Sequence, residues 1–347
     1  MLANFQRSHI FCKIFVTLGT ASLIWILVCT NILISKQASL YRLPIGFDQS
    51  NFFFGGSPNL KDFADESTMH LQSLCNENAT KRGPHQKVVS YSFFGTLANS
   101  VRGFLEGIEI NARLVRSHYP NWVMRVYHNM SADQGQFKMI LEFLKMSYGD
   151  VLDMCYVDAI PDVGNSTHTC YMWRFIPIAD PLVDVCIVRD LDGEISEREV
   201  NAVQEWLSSD HTFHVMRDHP GHMGRHIMAG MWGARLDTGF REFFSNQLRM
   251  MFRLAMEPGK ERSFDQNGLR DTIWPQGEKD KRFILQHDSY SCTSERYLKG
   301  GVMRPFKDCR NASQPYNFIG SRRGVDMEPL NKVCPEQCRP RPECIYC

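Results

Sequence analysis

Two aspartates, Asp190 and Asp192, follow the β-branched run Val183–Asp184–Val185–Cys186–Ile187–Val188. A run of that kind suits a strand buried on both faces, and alternation places the two carboxylates on one side just past its end. Convergent carboxylates are costly without a cation between them or a set of hydrogen bonds. A divalent ion such as Mn2+ or Mg2+ takes oxygen ligands and would bridge the pair to a diphosphate. The ion would offset charge building on a departing diphosphate. An Asp-rich turn capping the next helix would account for the same residues with no ligand. Arg189 between strand and motif, together with the compartment argued below, favours the ligand.

The elements that must position this pair are legible in the periodicity. Lys87–Ser92 reads as a strand. Phe104, Leu105, Ile108, Ala112 and Val115 mark a helix over Val101–Ser117. Trp122–Tyr127 reads as a strand, Asp133–Met146 as a helix, Val151–Val157 as a strand and Met172–Ala179 as helical. Ser196–Leu207, with acidic Glu197 and Glu199 in its first turn, reads as a helix. Phe213–Met216 reads as a strand and Phe240–Met256 as a helix, while Gly221–Arg235 is rich in glycine and aromatic residues. Alternating strands and helices imply right-handed βαβ units and a mostly parallel sheet. The expected fold class is therefore α/β, a mixed, mostly parallel sheet flanked by helices with a Rossmann-like nucleotide-binding half. Ligands of such sheets bind at the carboxyl ends of strands, where Asp190 and Asp192 fall.

The chain has 347 residues and a formal net charge of +1, so no global field points to a nucleic acid. Residues 14–34 carry no charge, and about 20 apolar residues span a bilayer. Arg7 and Lys13 precede them with no acidic residue, which places the N-terminal tail in the cytosol. A cleaved signal peptide would have a shorter apolar core and a small-residue cleavage site. The expected layout is a cytosolic tail over 1–13, a transmembrane signal anchor over 14–34 and a stem over 35–85. A lumenal domain over 86–310 and a Cys-rich tail over 311–347 complete it. Four sequons follow the anchor, at Asn78, Asn129, Asn165 and Asn311. Ten of the twelve cysteines follow it too, an even number that reads as disulfides in an oxidising compartment. A zinc knot in the tail is the weaker alternative, since no tight Cys pair faces another.

Tyr171–Phe175, Ala179–Asp180–Pro181, the strand and Asp190–Leu191–Asp192 together resemble the GT-A class of nucleotide-sugar-dependent glycosyltransferases. In that class an Asp-x-Asp motif follows a hydrophobic strand. The continuation through Ser196–Glu199, His214–Pro220 and Gly230–Gly233 resembles glycosyltransferase-like proteins of the class, and the likeness covers roughly residues 87–290. It implies a type II Golgi membrane protein that uses Mn2+ or Mg2+ and a UDP- or GDP-linked sugar donor. The acceptor would be a glycan or glycoprotein in the Golgi lumen. It implies roles as well. Asp190 would face ribose and metal, Asp192 would be the main metal ligand, and Arg174 would approach the nucleotide or diphosphate. Ser90 and Tyr91, ending the first strand, would lie near the base. His287 would supply a further metal ligand, and Asp265, beside Gln266, would lie near the acceptor. An inverting enzyme would need a carboxylate base, for which Asp265 and Asp218 are the candidates. Plainer readings stand beside these: a surface arginine, a loop histidine and a helix N-cap.

The five histidines between His211 and His226 include the i, i+4 pair His222 and His226, but Gly221 and Gly224 disfavour a zinc-binding helix there. A loop over the sugar pocket, lined by Asp218 and Gly230, suits the segment better. Trp232 offers a flat face for a sugar ring or, equally, a core side chain. Two rivals remain. Asp190–Leu191–Asp192–Gly193 also matches the nucleophile motif of haloacid-dehalogenase-type phosphatases, with Asp190 as nucleophile. That motif usually opens its domain, whereas three strands precede it here. The other rival is a non-catalytic, membrane-tethered scaffold of the same fold.

Overall fold

The computed structural model describes residues 71–95, 104–131, 135–160, 169–257, 264–310, 318–322 and 333–346. The expected cytosolic tail, the span over 14–34, the sequons Asn165 and Asn311 and residues 35–70 of the stem lie outside them. Among the described residues no helix is long and apolar enough to cross a membrane.

The strands are β1 (Gln86–Phe93), β2 (Val123–His128), β3 (Leu152–Tyr156), β4 (Val183–Arg189), β5 (Phe213–Arg217), β6 (Met231–Arg235), β7 (Ile284–Asp288) and β8 (Val302–Arg304). They form one mixed sheet in the order β3-β2-β1-β4-β6-β5-β7-β8. Strand β6 runs antiparallel to both its neighbours, and the other described pairings are parallel. The helices are α1 (Glu77–Lys81), α2 (Phe104–His118), α3 (Gly135–Tyr148), α4 (Glu197–Leu207), α5 (Arg241–Ala255), α6 (Phe264–Thr272), α7 (Trp274–Lys279) and α8 (Glu295–Leu298). A 3-10 helix, Cys170–Ala179, leads into β4.

Alternation divides the side chains between two layers. On one face Phe213, stacked on Trp232 at 5.2 Å between ring centroids, meets Phe244 of α5 and Phe283. Phe175 of the 3-10 helix closes on Trp232 at 5.1 Å. Each such aromatic pair adds about 0.5–1.5 kcal/mol beyond the area it buries. On the other face Trp206 of α4 stacks on His214 at 5.3 Å. Helix α4 begins as the sequence predicts, with the Ser196 side chain accepting from the Glu199 amide.

The domain starts earlier than the stem boundary at residue 85. Ser73 Oγ and the Leu74 amide donate to Asp180 Oδ2, as does the fully buried Arg125 at 2.7 Å. Cys75 is bridged to Cys155 of β3. The tail is likewise joined to the domain, through Cys292–Cys338 and Cys309–Cys344, so these cysteines act as staples. Strands β6, β7 and β8 are additions to the sequence reading. β6 lies in the Gly-rich stretch expected to be a loop, and β7 contains the segment expected to supply a ligand.

Candidate active site at the carboxyl edge of the sheet

Strand order reverses at β1, which has β2 on one side and β4 on the other. The crevice beyond the carboxyl ends of β1 and β4 is therefore a topological switch point, where open α/β sheets bind ligands. Asp190 follows β4 directly, and Phe94 and Gly95 follow β1. The Phe94 ring meets Tyr171 at 4.9 Å and Trp173 at 6.1 Å, which pins the 3-10 helix to the end of β1.

Arg174 joins two carboxylates from distant parts of the chain. One guanidinium nitrogen pairs with Asp190 Oδ1 and the other donates to Asp265 Oδ2 at 3.1 Å. The Arg174 amide donates to Ser92 Oγ at 2.8 Å. Burial works against the arginine's charge, but Asp190 and Asp265 hold it more firmly protonated than usual. Asp265 lies in the first turn of α6 and accepts from the Gln266 amide. Burial raises its carboxyl above the ordinary range, Arg174 opposes this, and the Asp190 charge adds to it. Gly230, just before β6, packs on the Asp190 carboxylate so closely that a methyl group there would overlap it. A side chain at that position would have to push the carboxylate aside.

Asp192 lies close enough to Asp190 to feel its charge. Burial and then Asp190 raise its carboxyl, while Arg322, with Nε 3.1 Å from Asp192 Oδ2, pulls it down. Asp190 is 48% exposed and Asp192 21%, so both can be reached from solvent. Their loop is fixed from behind, where the Asn111 amide donates to the Gly193 carbonyl at 3.0 Å.

The remaining sequence candidates fall elsewhere. Ser90 and Tyr91 do not end the first strand, which runs on to Phe93; both are fully buried, and on opposite faces by alternation. Ser92, two residues after Ser90 on the same face, makes the contact with Arg174. Arg189 turns away from Asp190 and binds Glu199 of α4 at 2.6 Å. His287 is inside β7, three strand spacings from β4, roughly 14 Å. Its Nδ1 meets His214 Nε2 at 2.8 Å and its Nε2 faces Glu205 at 3.5 Å. Burial keeps it neutral against the pull of Glu205. It is a core histidine and is not placed to share an ion with Asp192. The sequence motif around it gave no sign that it would be inside a strand.

Asp218 follows β5 at the same edge but is saturated. It receives Arg198 at 2.9 and 3.1 Å, Arg310 at 3.0 Å, Ser289 Oγ at 2.6 Å and the Ile319 amide at 3.0 Å. Burial opposes its charge, but Arg198 and Arg310 outweigh that and hold it below the usual carboxylate range. Such a group is a poor proton acceptor. Trp232 is fully buried beneath Phe213 and Phe175, which removes it as a sugar platform. His222 accepts from the Asp218 amide, and His226 lies against Trp274 and Arg296. Among the described residues no group of three or more His, Cys, Asp or Glu is arranged to hold a metal. Two reachable carboxylates nevertheless suit an ion that keeps waters and takes its other ligands from phosphate, as Mg2+ does.

The fold and edge define a mixed α/β domain with an arginine-bridged acidic site at a sheet switch point. No family model matches the chain, and no curated protein matches it. Among solved structures it is similar to the apo-form glycosyltransferase GlyE of Streptococcus pneumoniae TIGR4. The TM-score is 0.37 at 12% identity, over 55% of this chain and 44% of that one. It is similar also to 4-diphosphocytidyl-2C-methyl-D-erythritolsynthase from Anaerococcus prevotii DSM 20548. Here the TM-score is 0.36 at 10% identity, over 62% of this chain and 94% of that one. The chain thus spans less than half the length of the first.

Proposed function

We propose that this chain is a metal-dependent, GT-A-type glycosyltransferase. It would move a sugar from a UDP- or GDP-linked donor to a glycan or glycoprotein, anchored in the Golgi membrane by residues 14–34. The observation that carries the reading is the set Asp190, Asp192, Arg174 and Asp265 at the carboxyl edge of β4. Asp190 and Asp192 are reachable, and Arg174 is held where a diphosphate beside them would meet it. Asp190 and Asp192 would hold Mn2+ or Mg2+, which when bound supplies positive charge against the leaving diphosphate. Arg174 would add a fixed positive charge to the same oxygens. Of the two carboxyls considered as base, only Asp265 shares an arginine with Asp190, and its raised proton affinity suits accepting the acceptor's proton. Asp218 is given no step. The phosphatase reading is not favoured, because the Asp190 carboxylate is paired with Arg174, and β1, β2 and β3 all precede it.

The test is nucleotide release by the purified chain from a panel of nucleotide sugars with Mn2+ and a glycan acceptor. Release that Asp192→Ala lowers by about 100-fold or more, the scale of a lost charge-stabilising group, is the expected result. Hydrolysis of phosphomonoesters with no sugar transfer would sink the proposal.

A further inference from the structure

The sequence reading set the tail apart as an appendage, yet one described piece of it, residues 318–322, lies on the candidate site. The Ile319 amide donates to Asp218 Oδ2 at 3.0 Å, and Phe318 packs on the His219 ring at 4.3 Å. Ile319 is buried among Met216, Met231 and Phe306. Gly320 has φ +82° and lies on Met231, so the turn there needs a residue free to adopt left-handed backbone. The segment then pairs antiparallel with the acidic loop through Gly193 and Arg322. The Arg322 side chain reaches back to Asp192 at 3.1 Å.

The two arginines at the site are held differently. Arg174 is 8% exposed and pinned between two carboxylates, whereas Arg322 is 69% exposed and, among the described residues, pairs with one, Asp192. An arginine with fixed backbone and a guanidinium in water can change partner at little cost. We propose that Arg322 is the resident counter-cation of Asp192. It occupies the carboxylate that a divalent cation would need. Once the cation takes Asp192, Arg322 is released toward the donor's diphosphate, to which its planar fork is suited. This rests on the metal-binding reading above.

The experiment measures Mn2+ binding to the full chain in detergent by electron paramagnetic resonance of the free ion, first without nucleotide. Wild type, R322Q, R322K and D192N are compared, with thermal melting as a check on folding. R322Q is expected to bind Mn2+ roughly two- to five-fold more tightly than wild type, the span of a solvent-exposed ion pair. R322K is expected to stay near wild type. With saturating Mn2+, R322Q is expected to bind UDP or GDP more weakly. Unchanged or weaker Mn2+ binding by R322Q, alongside a loss in D192N, overturns the role of Arg322 and leaves the metal site standing. Wild-type Mn2+ binding by D192N overturns both.

Discussion

Gly230 and Asp218 lie on the same edge of the sheet, and substitutions at each should fail in different ways. Gly230→Ala places a methyl group against the Asp190 carboxylate. The expected result is loss of Mn2+-supported nucleotide binding, measured by calorimetry, at near-normal denaturant stability. Asp218→Asn removes the charge that Arg198 and Arg310 surround. Removing one partner of a buried ion pair costs about 3–5 kcal/mol, so the guanidinium midpoint should fall sharply. A Gly230→Ala protein that binds nucleotide normally, or an Asp218→Asn protein of unchanged stability, would contradict these assignments. At this scale the position of Asp190 and Asp192 just past β4 is legible because a buried strand announces its own end. The partnership of Arg174 with Asp265 was not, since 91 residues separate them and no local pattern encodes their meeting. His287 shows the converse, a residue type suited to a metal whose surroundings decide otherwise.

Among the elements, β1 to β5 and α2 to α5 follow the periodicity closely, because each buries one face or both. Strand β6 escaped because Met231–Arg235 contains a glycine and follows a Gly-rich stretch. It is a strand because β4 and β5 clamp it on both sides, and Gly233 gives room to Ile187 and Trp206. Helix α1 was missed because it is short and depends on tertiary anchors, the Asn76 amide on the Met154 carbonyl and the Cys75–Cys155 bridge. That bridge closes a long loop, with a sequence separation of 80. Replacing both cysteines by serine should cost roughly 2–5 kcal/mol, read as a lower denaturation midpoint. A midpoint equal to wild type would contradict a stabilising role for this bridge.

For the whole molecule, stability should fall with acid. Burial pushes His128, 2% exposed, down to about 4. The unfolded chain takes up that proton near 6.5, so the folded state loses stability as pH falls from about 7 toward 4. The full window is worth on the order of 3 kcal/mol for this residue. His222 and His226, also lowered to about 4, act in the same sense. Glu205 is held down to about 2 by its contacts with His287, Arg304 and Lys307. Its contribution is fully present above about 4.5 and is lost as pH falls toward about 2. Asp192 and Asp265, both raised, work in the opposite sense and blunt the slope. Denaturant midpoints at pH 7.5, 6 and 5 should decline, and His128→Gln should flatten the decline. A midpoint that rises with acid would contradict the burial of these rings.

The partners of Asp218 have a consequence for how the chain is made. Arg198 precedes it, but Ser289, Arg310 and the Ile319 amide come 71, 92 and 101 residues later. During synthesis from the N-terminus, strands β1 to β5 can emerge well before three of the groups that accommodate this buried charge. The shell around Asp218 can therefore be completed only after the ribosome has delivered residue 319.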